Sequence, residues 1–180
     1  DCTQNKLTSL DGSPKVVSED FFCGRNKLTS LVGATKSVGR HFFCDNNLLI
    51  SLEGMPESVS GDFLGSYNKL TSLRGFPSSI GGTFVCNKNN LTSLEGAPSS
   101  VGGGFMVRDN KLTSLEGAPE RINGHFDCTG NELRSLNGAP KYVDGDFYCK
   151  GNLLTSLEGV PKTVGGNFYC ETNPVKFTVE

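Results

Sequence analysis

The sequence predicts a mainly β repeat solenoid, and three observations carry that prediction. Asparagine recurs every 21 residues, at Asn5, Asn26, Asn47, Asn68, Asn89, Asn110, Asn131, Asn152 and Asn173. Phenylalanine keeps the same period at Phe21, Phe42, Phe63, Phe84, Phe105, Phe126, Phe147 and Phe168. A glycine followed two residues later by proline closes seven of the eight complete registers, Thr35 being the exception. A polar residue held to one period among apolar residues at fixed offsets means identical turns stacked on one another. The register never breaks, so residues 1–180 read as one domain of eight full registers and a partial ninth.

The unit is F-x-C-x-x-N-x-L-T-S-L-x-G-x-P-x-x-V-x-G-x, and each slot has a physical reason. In F-x-C the fixed residues alternate with a variable one, which gives a short strand with Phe and Cys inward. Asparagine follows where the chain turns away. Its carboxamide both donates and accepts, so a row of them can satisfy the backbone groups of the bend and bond rung to rung. The next pair, Leu7 and Leu10 in the first register, points back inside. The serine row from Ser9 to Ser156 reads as backbone satisfaction rather than a nucleophile. Glycine and proline then forbid a long helix, leaving the outer side extended or turn-like. At the end, Val175, Phe177 and Val179 alternate, which predicts a closing strand over 174–180. The chain opens at Asp1 in mid-repeat, and is therefore expected to be part of a longer protein.

This order of slots matches the L-x-L-x-x-N-x-L part of L-x-x-L-x-L-x-x-N-x-L, with Phe and Cys in two of the leucine positions. It resembles the leucine-rich repeat over essentially the whole chain. Within that family it is most similar to the short repeats of bacterial secreted effectors, and to tandem L-T-S-L-E-G-A-P repeats of bacteriophage and bacterial reading frames. The resemblance implies a right-handed leucine-rich-repeat stack, with nine short parallel strands on a concave sheet and an extended, turn-rich convex side. It also implies a phage or bacterial origin.

Composition narrows the partners. A net charge of −2 and a pI near 5.7 supply no polycationic surface, so nucleic acid is not an expected partner. No stretch is apolar enough for a membrane-spanning helix, and no membrane partner is expected. All seven cysteines share one slot, with Gly65 and Val107 standing in at two rungs, and a spacing of 21 matches no metal motif. Rungs about 4.8 Å apart hold in-register Cβ atoms too far apart for the ~3.8 Å a disulfide prefers. Free buried thiols acting as small hydrophobes are expected, and they favour a reducing, cytoplasmic setting. Virion association or delivery into a host cell is the alternative.

Function should lie in what varies. The slot between the inward Phe and Cys runs Phe22, Phe43, Leu64, Val85, Met106, Asp127, Tyr148, Tyr169, an outward stripe that is apolar and aromatic except at Asp127. Contiguous exposed apolar area of several hundred Å² is uncommon on soluble proteins without a use for it. The slot before Phe includes Asp20, His41, Asp62, His125 and Asp146. The slots after Cys include Tyr67 and Arg108. Both borders are polar and change at nearly every step. A rigid frame presenting variable side chains beside an apolar stripe predicts a non-enzymatic module that binds a protein partner through its strand face. The alternatives are a spacer segment of a virion or surface protein, or the targeting arm of a larger bacterial effector.

Catalytic chemistry is not expected. The only histidines, His41 and His125, stand four rungs apart, roughly 19 Å at ~4.8 Å per rung. The trio Asp20, His41, Asp62 reads as charge complementarity across rungs rather than an ion site. Glycine pairs such as Gly81-Gly82 precede no helix and so are not phosphate loops. The threonine row is interrupted by Ile50 and Arg134, which argues against an ice-matching ladder. No cofactor and no metal is expected, and the sequence sets no oligomeric state.

Overall fold

The alternating Phe and Val slots become two walls of one stack. The structure, a computed structural model, describes residues 1–176. Sixteen two-residue strands occur there. The back wall holds β1 (Val16–Val17), β3 (Ser37–Val38), β5 (Ser58–Val59), β7 (Ser79–Ile80), β9 (Ser100–Val101), β11 (Arg121–Ile122), β13 (Tyr142–Val143) and β15 (Thr163–Val164). The front wall holds β2 (Phe21–Phe22), β4 (Phe42–Phe43), β6 (Phe63–Leu64), β8 (Phe84–Val85), β10 (Phe105–Met106), β12 (Phe126–Asp127), β14 (Phe147–Tyr148) and β16 (Phe168–Tyr169). The front strands form one eight-stranded sheet, and the back strands three sheets of three, two and three. Every pair is parallel and offset by one repeat, with Phe21 opposite Phe42 and Phe147 opposite Phe168. No helix occurs among the described residues. The molecule is a mainly β parallel solenoid.

Two expectations change in detail. The front sheet has eight strands rather than nine: Cys2 extends the ladder by donating its N–H to the Phe22 carbonyl at 2.8 Å, yet forms no strand of its own. Of the expected closing strand over 174–180, Pro174 and Val175 make an exposed bend, and 177–180 lie outside the described residues.

Ladders of identical residues fill the interior. Phe42, Phe63, Phe84, Phe105, Phe126 and Phe147 are fully buried, as are the leucine pairs of the central rungs. Successive phenylalanine rings stack with centroids 4.7–6.2 Å apart. Each buried Phe or Leu is worth roughly 1.5–3 kcal/mol, so the repeated core is the main source of stability. Cysteines 23, 44, 86, 128 and 149 are buried free thiols. Removal from water pushes Cys149 up to about 12, and drives Cys44 and Cys128 well above the ordinary thiol range.

The asparagine row closes the corner of every rung. The Leu70 N–H donates to Asn89 Oδ1 at 3.0 Å, while Asn89 Nδ2 donates to the Gly65 carbonyl at 3.1 Å and the Cys86 carbonyl at 3.2 Å. The bonds therefore run from carboxamide to backbone, not from one asparagine to the next. The residue before each asparagine takes a positive φ, including Tyr67 at 56° and Lys88 at 54°. That left-handed step reverses the chain out of the strand. The serine row behaves as expected: Ser72 Oγ accepts the Arg74 N–H at 3.1 Å, and six equivalent serines do the same.

One rung departs from the pattern in a correlated way. Phe76 occupies a slot filled by alanine in four of the eight registers. Its ring meets Phe63 edge-on at 4.7 Å and Phe84 at 5.0 Å. On the same rung Gly65 replaces cysteine, and Phe63 lies over it. The back sheet is interrupted between β5 and β7, as it is between β9 and β11.

Candidate functional site

Because the fixed residues of F-x-C face inward, the residue between them faces out. Phe22, Phe43, Leu64, Val85, Met106, Asp127, Tyr148 and Tyr169 form one outward row on the front sheet, while Phe21 and Phe147 lie inside. The stripe is half-buried rather than fully exposed. Stacking accounts for this: Phe22 and Phe43 rings sit 4.8 Å apart at 13°, and Tyr148 and Tyr169 sit 4.7 Å apart at 8°. Each ring covers its neighbour's face and leaves edges to solvent. Asp127 interrupts the stripe between Met106 and Tyr148, directly paired with each.

The border before Phe is a capping row. The His41 N–H donates to Asp20 Oδ1 at 3.0 Å. The Asp62 N–H donates to His41 Nδ1 at 2.9 Å, and the Thr83 N–H to Asp62 Oδ1 at 2.7 Å. His125 and Asp146 repeat the arrangement, with the Asp146 N–H donating to His125 Nδ1 at 2.9 Å. These amides lie where the parallel ladder offers no carbonyl, so a side-chain acceptor from the previous rung takes them. The row expected to match by charge is thus held through the backbone. Asp62 Oδ2 also approaches His41 Nδ1, at 3.1 Å.

Asp146 is the most engaged carboxylate on the face. The Asn167 N–H donates to it at 2.7 Å and the Tyr148 hydroxyl at 2.8 Å. Those bonds, the Asn167 amide first, hold its acidity below the ordinary carboxylate value. The same contact pushes Tyr148 up to about 12.

On the other border Arg108 is exposed and its Nε lies 3.4 Å from Asp109. Lys150 pairs with Glu171 at 3.2 Å and sits over the Tyr169 ring at 4.4 Å. Tyr67, at its left-handed corner, is exposed with Lys88 over its ring at 4.8 Å. Two depressions open on this face. One of about 440 Å³ is lined by Met106, Arg108, His125, Asp127, Tyr148 and Lys150, among others. A smaller one, about 300 Å³, lies over Phe22 and Phe43 beside Arg25 and Asp45.

The front sheet therefore brings the expected site residues onto one wall, but not all together. His41 and His125 stay on separate rungs, and no cluster of three metal-ligating side chains forms among the described residues. No helix of the described residues is long and apolar enough to cross a membrane. Leu48 and Ile50 are exposed apolar residues that the strand-face reading left aside. The signal that marks them is their departure from the lysine of Lys6, Lys27, Lys69 and Lys111 and from the threonine of six other rungs. No protein-family model, no curated protein and no solved structure matches the chain.

Proposed function

We propose that this chain is a non-enzymatic recognition module of the leucine-rich-repeat class, which binds a protein partner across its front sheet. The observation that supports the reading most is the contrast between interior and face. Interior ladders repeat almost without change, while an aromatic stripe runs between two borders whose residues change at nearly every rung. Aromatic side chains held rigidly by their neighbours bury area at a partner with little loss of side-chain entropy. The free thiols support residence in a reducing compartment. The tandem-repeat resemblance supports a phage or bacterial source.

The test compares the chain with a doubly charged variant, Phe43→Lys with Tyr148→Lys, each immobilised and exposed to host lysate. Both must show the same far-ultraviolet spectrum and cooperative melting. Loss of the retained proteins from the variant supports the reading. Retention of the same set by a folded variant overturns it.

One observation favours a spacer segment instead: His41, Asp62 and Asp146 spend their side chains on neighbouring rungs, which stiffens the stack without reference to a partner. An unchanged retention profile would shift the assignment to that reading.

A further inference from the structure

The break in the aromatic stripe is a built feature rather than a gap. Asp127 sits on the floor of the 440 Å³ depression, between Met106 on one rung and Tyr148 on the other. Tyr148 stacks on Tyr169 through one face, so its second face turns toward the rung of Asp127, where the His125 ring stands tilted with its centroid 6.3 Å away. The Met106 methyl folds back over Gly104, where an added Cβ would lie 2.7 Å from it. A slot results, walled by an aromatic face and a thioether, about two rungs or ~9.6 Å across between backbone positions.

Charge decides what fits. Arg108 and Lys150 line the slot, but each has its own carboxylate in Asp109 and Glu171. His125 accepts a backbone N–H through Nδ1, and the same atom lies 3.3 Å from Asp146 Oδ2. Asp146 takes the Asn167 N–H and the Tyr148 hydroxyl. Asp127 accepts one N–H, from Thr129 at 3.0 Å, through Oδ1. Among the described residues it has no cationic partner within salt-bridge distance. Asp127 is the carboxylate that lines the slot.

We propose that this slot receives an arginine side chain of the protein partner, its guanidinium bonded to Asp127 and stacked on the open face of Tyr148. The inference rests on the protein-binding reading above. Guanidinium is planar, weakly hydrated and always charged, so it satisfies a carboxylate and an aromatic face at once. Met106 adapts to the alkyl stem, as thioethers do.

The test needs no identified partner. N-acetyl-arginine methylamide is titrated into the labelled full chain and backbone amide shifts are followed by NMR, with N-acetyl-citrulline methylamide as the neutral isostere. Saturable shifts centred on Asp127, Thr129 and Tyr148 are expected, with a dissociation constant on the order of 10 mM. Citrulline should bind at least about tenfold more weakly, and Asp127→Asn should weaken arginine by a similar factor, about one salt-bridged cation's worth. The Asn variant keeps an oxygen for the Thr129 N–H, and Asp127→Val, which continues the apolar row, is a second folded control. Equal binding of citrulline, insensitivity to Asp127→Asn, or no saturation by ~100 mM overturns the proposal. Such a failure leaves the lysate comparison of Phe43 and Tyr148 intact. Conversely, arginine binding with unchanged lysate retention overturns only the wider reading.

Discussion

A Cβ placed on Gly65 would lie 2.6 Å from Cζ of Phe63, so the ring occupies the volume that cysteine fills on most other rungs. The edge-on contact of Phe76 with Phe63 at 4.7 Å explains the displacement. Two departures from the repeat, eleven residues apart in sequence, are thus one packing solution.

A double-mutant cycle checks that coupling. Gly65→Cys alone restores the repeat residue yet should destabilise by about 2 kcal/mol, because overpacking strains the core. Combined with Phe76→Ala, the cysteine should cost less, with a coupling energy of about 1 kcal/mol or more. Urea unfolding of the four proteins reads it. Strict additivity would show that the two residues do not share the space.

The asparagine row predicts a position-dependent cost. Asn89→Ala removes an acceptor for the Leu70 N–H and donors for the Gly65 and Cys86 carbonyls, all buried. A loss of about 2–3 kcal/mol is expected. Asn5, exposed on the first rung, bonds only to the Cys2 and Thr3 carbonyls, and Asn5→Ala should cost under about 1 kcal/mol. Equal shifts in urea midpoint would contradict this accounting.

Thiol accessibility should divide the cysteines into two groups. Cys2 and Cys170 are partly exposed, whereas Cys23, Cys44, Cys86, Cys128 and Cys149 are buried. Brief alkylation of the native chain near pH 8, read by mass spectrometry, should modify the first two and spare the other five until denaturant is added. Rapid labelling of Cys86 would show that the stack opens.

Acid should weaken the fold partly through Asp146. Its native acidity is depressed, chiefly by the Asn167 N–H and then the Tyr148 hydroxyl. A depressed carboxylate contributes stability above its unfolded value, about pH 4, and loses it as pH falls through the native value. The urea midpoint should therefore hold from neutrality to about pH 4 and decline below. Asp146→Asn should show a shallower decline. An identical acid limb in both proteins would count against the assignment.

The 21-residue period made the stack legible in the sequence, because Phe21 and Cys23 can face inward only if Phe22 faces out. The parallel register and the backbone role of the serine row followed from the same pattern. What escaped it depends on contacts between rungs. Phe22 and Phe43 read as exposed, but their mutual stacking half-buries them. His41 and Asp62 read as a charge match, while the bond that joins them runs to a main-chain amide whose orientation no side-chain pattern reveals. The two-residue strands of the back wall were visible only as an extended stretch, since the Val slot alone does not show which neighbours it pairs with. As for the candidate site, the wall was legible, whereas the slot at Asp127 required knowing where Met106 and Tyr148 lean.

The corner bonds of the asparagine row always span the same distances along the chain, 19 and 24 residues between adjacent coils. Excising or duplicating any whole unit reseals those bonds, whatever residue the cut passes through, while a change of one residue breaks every bond that crosses it. Such a gene is free to lengthen or shorten by recombination in whole copies, and the front wall can be edited coil by coil without redesigning its support.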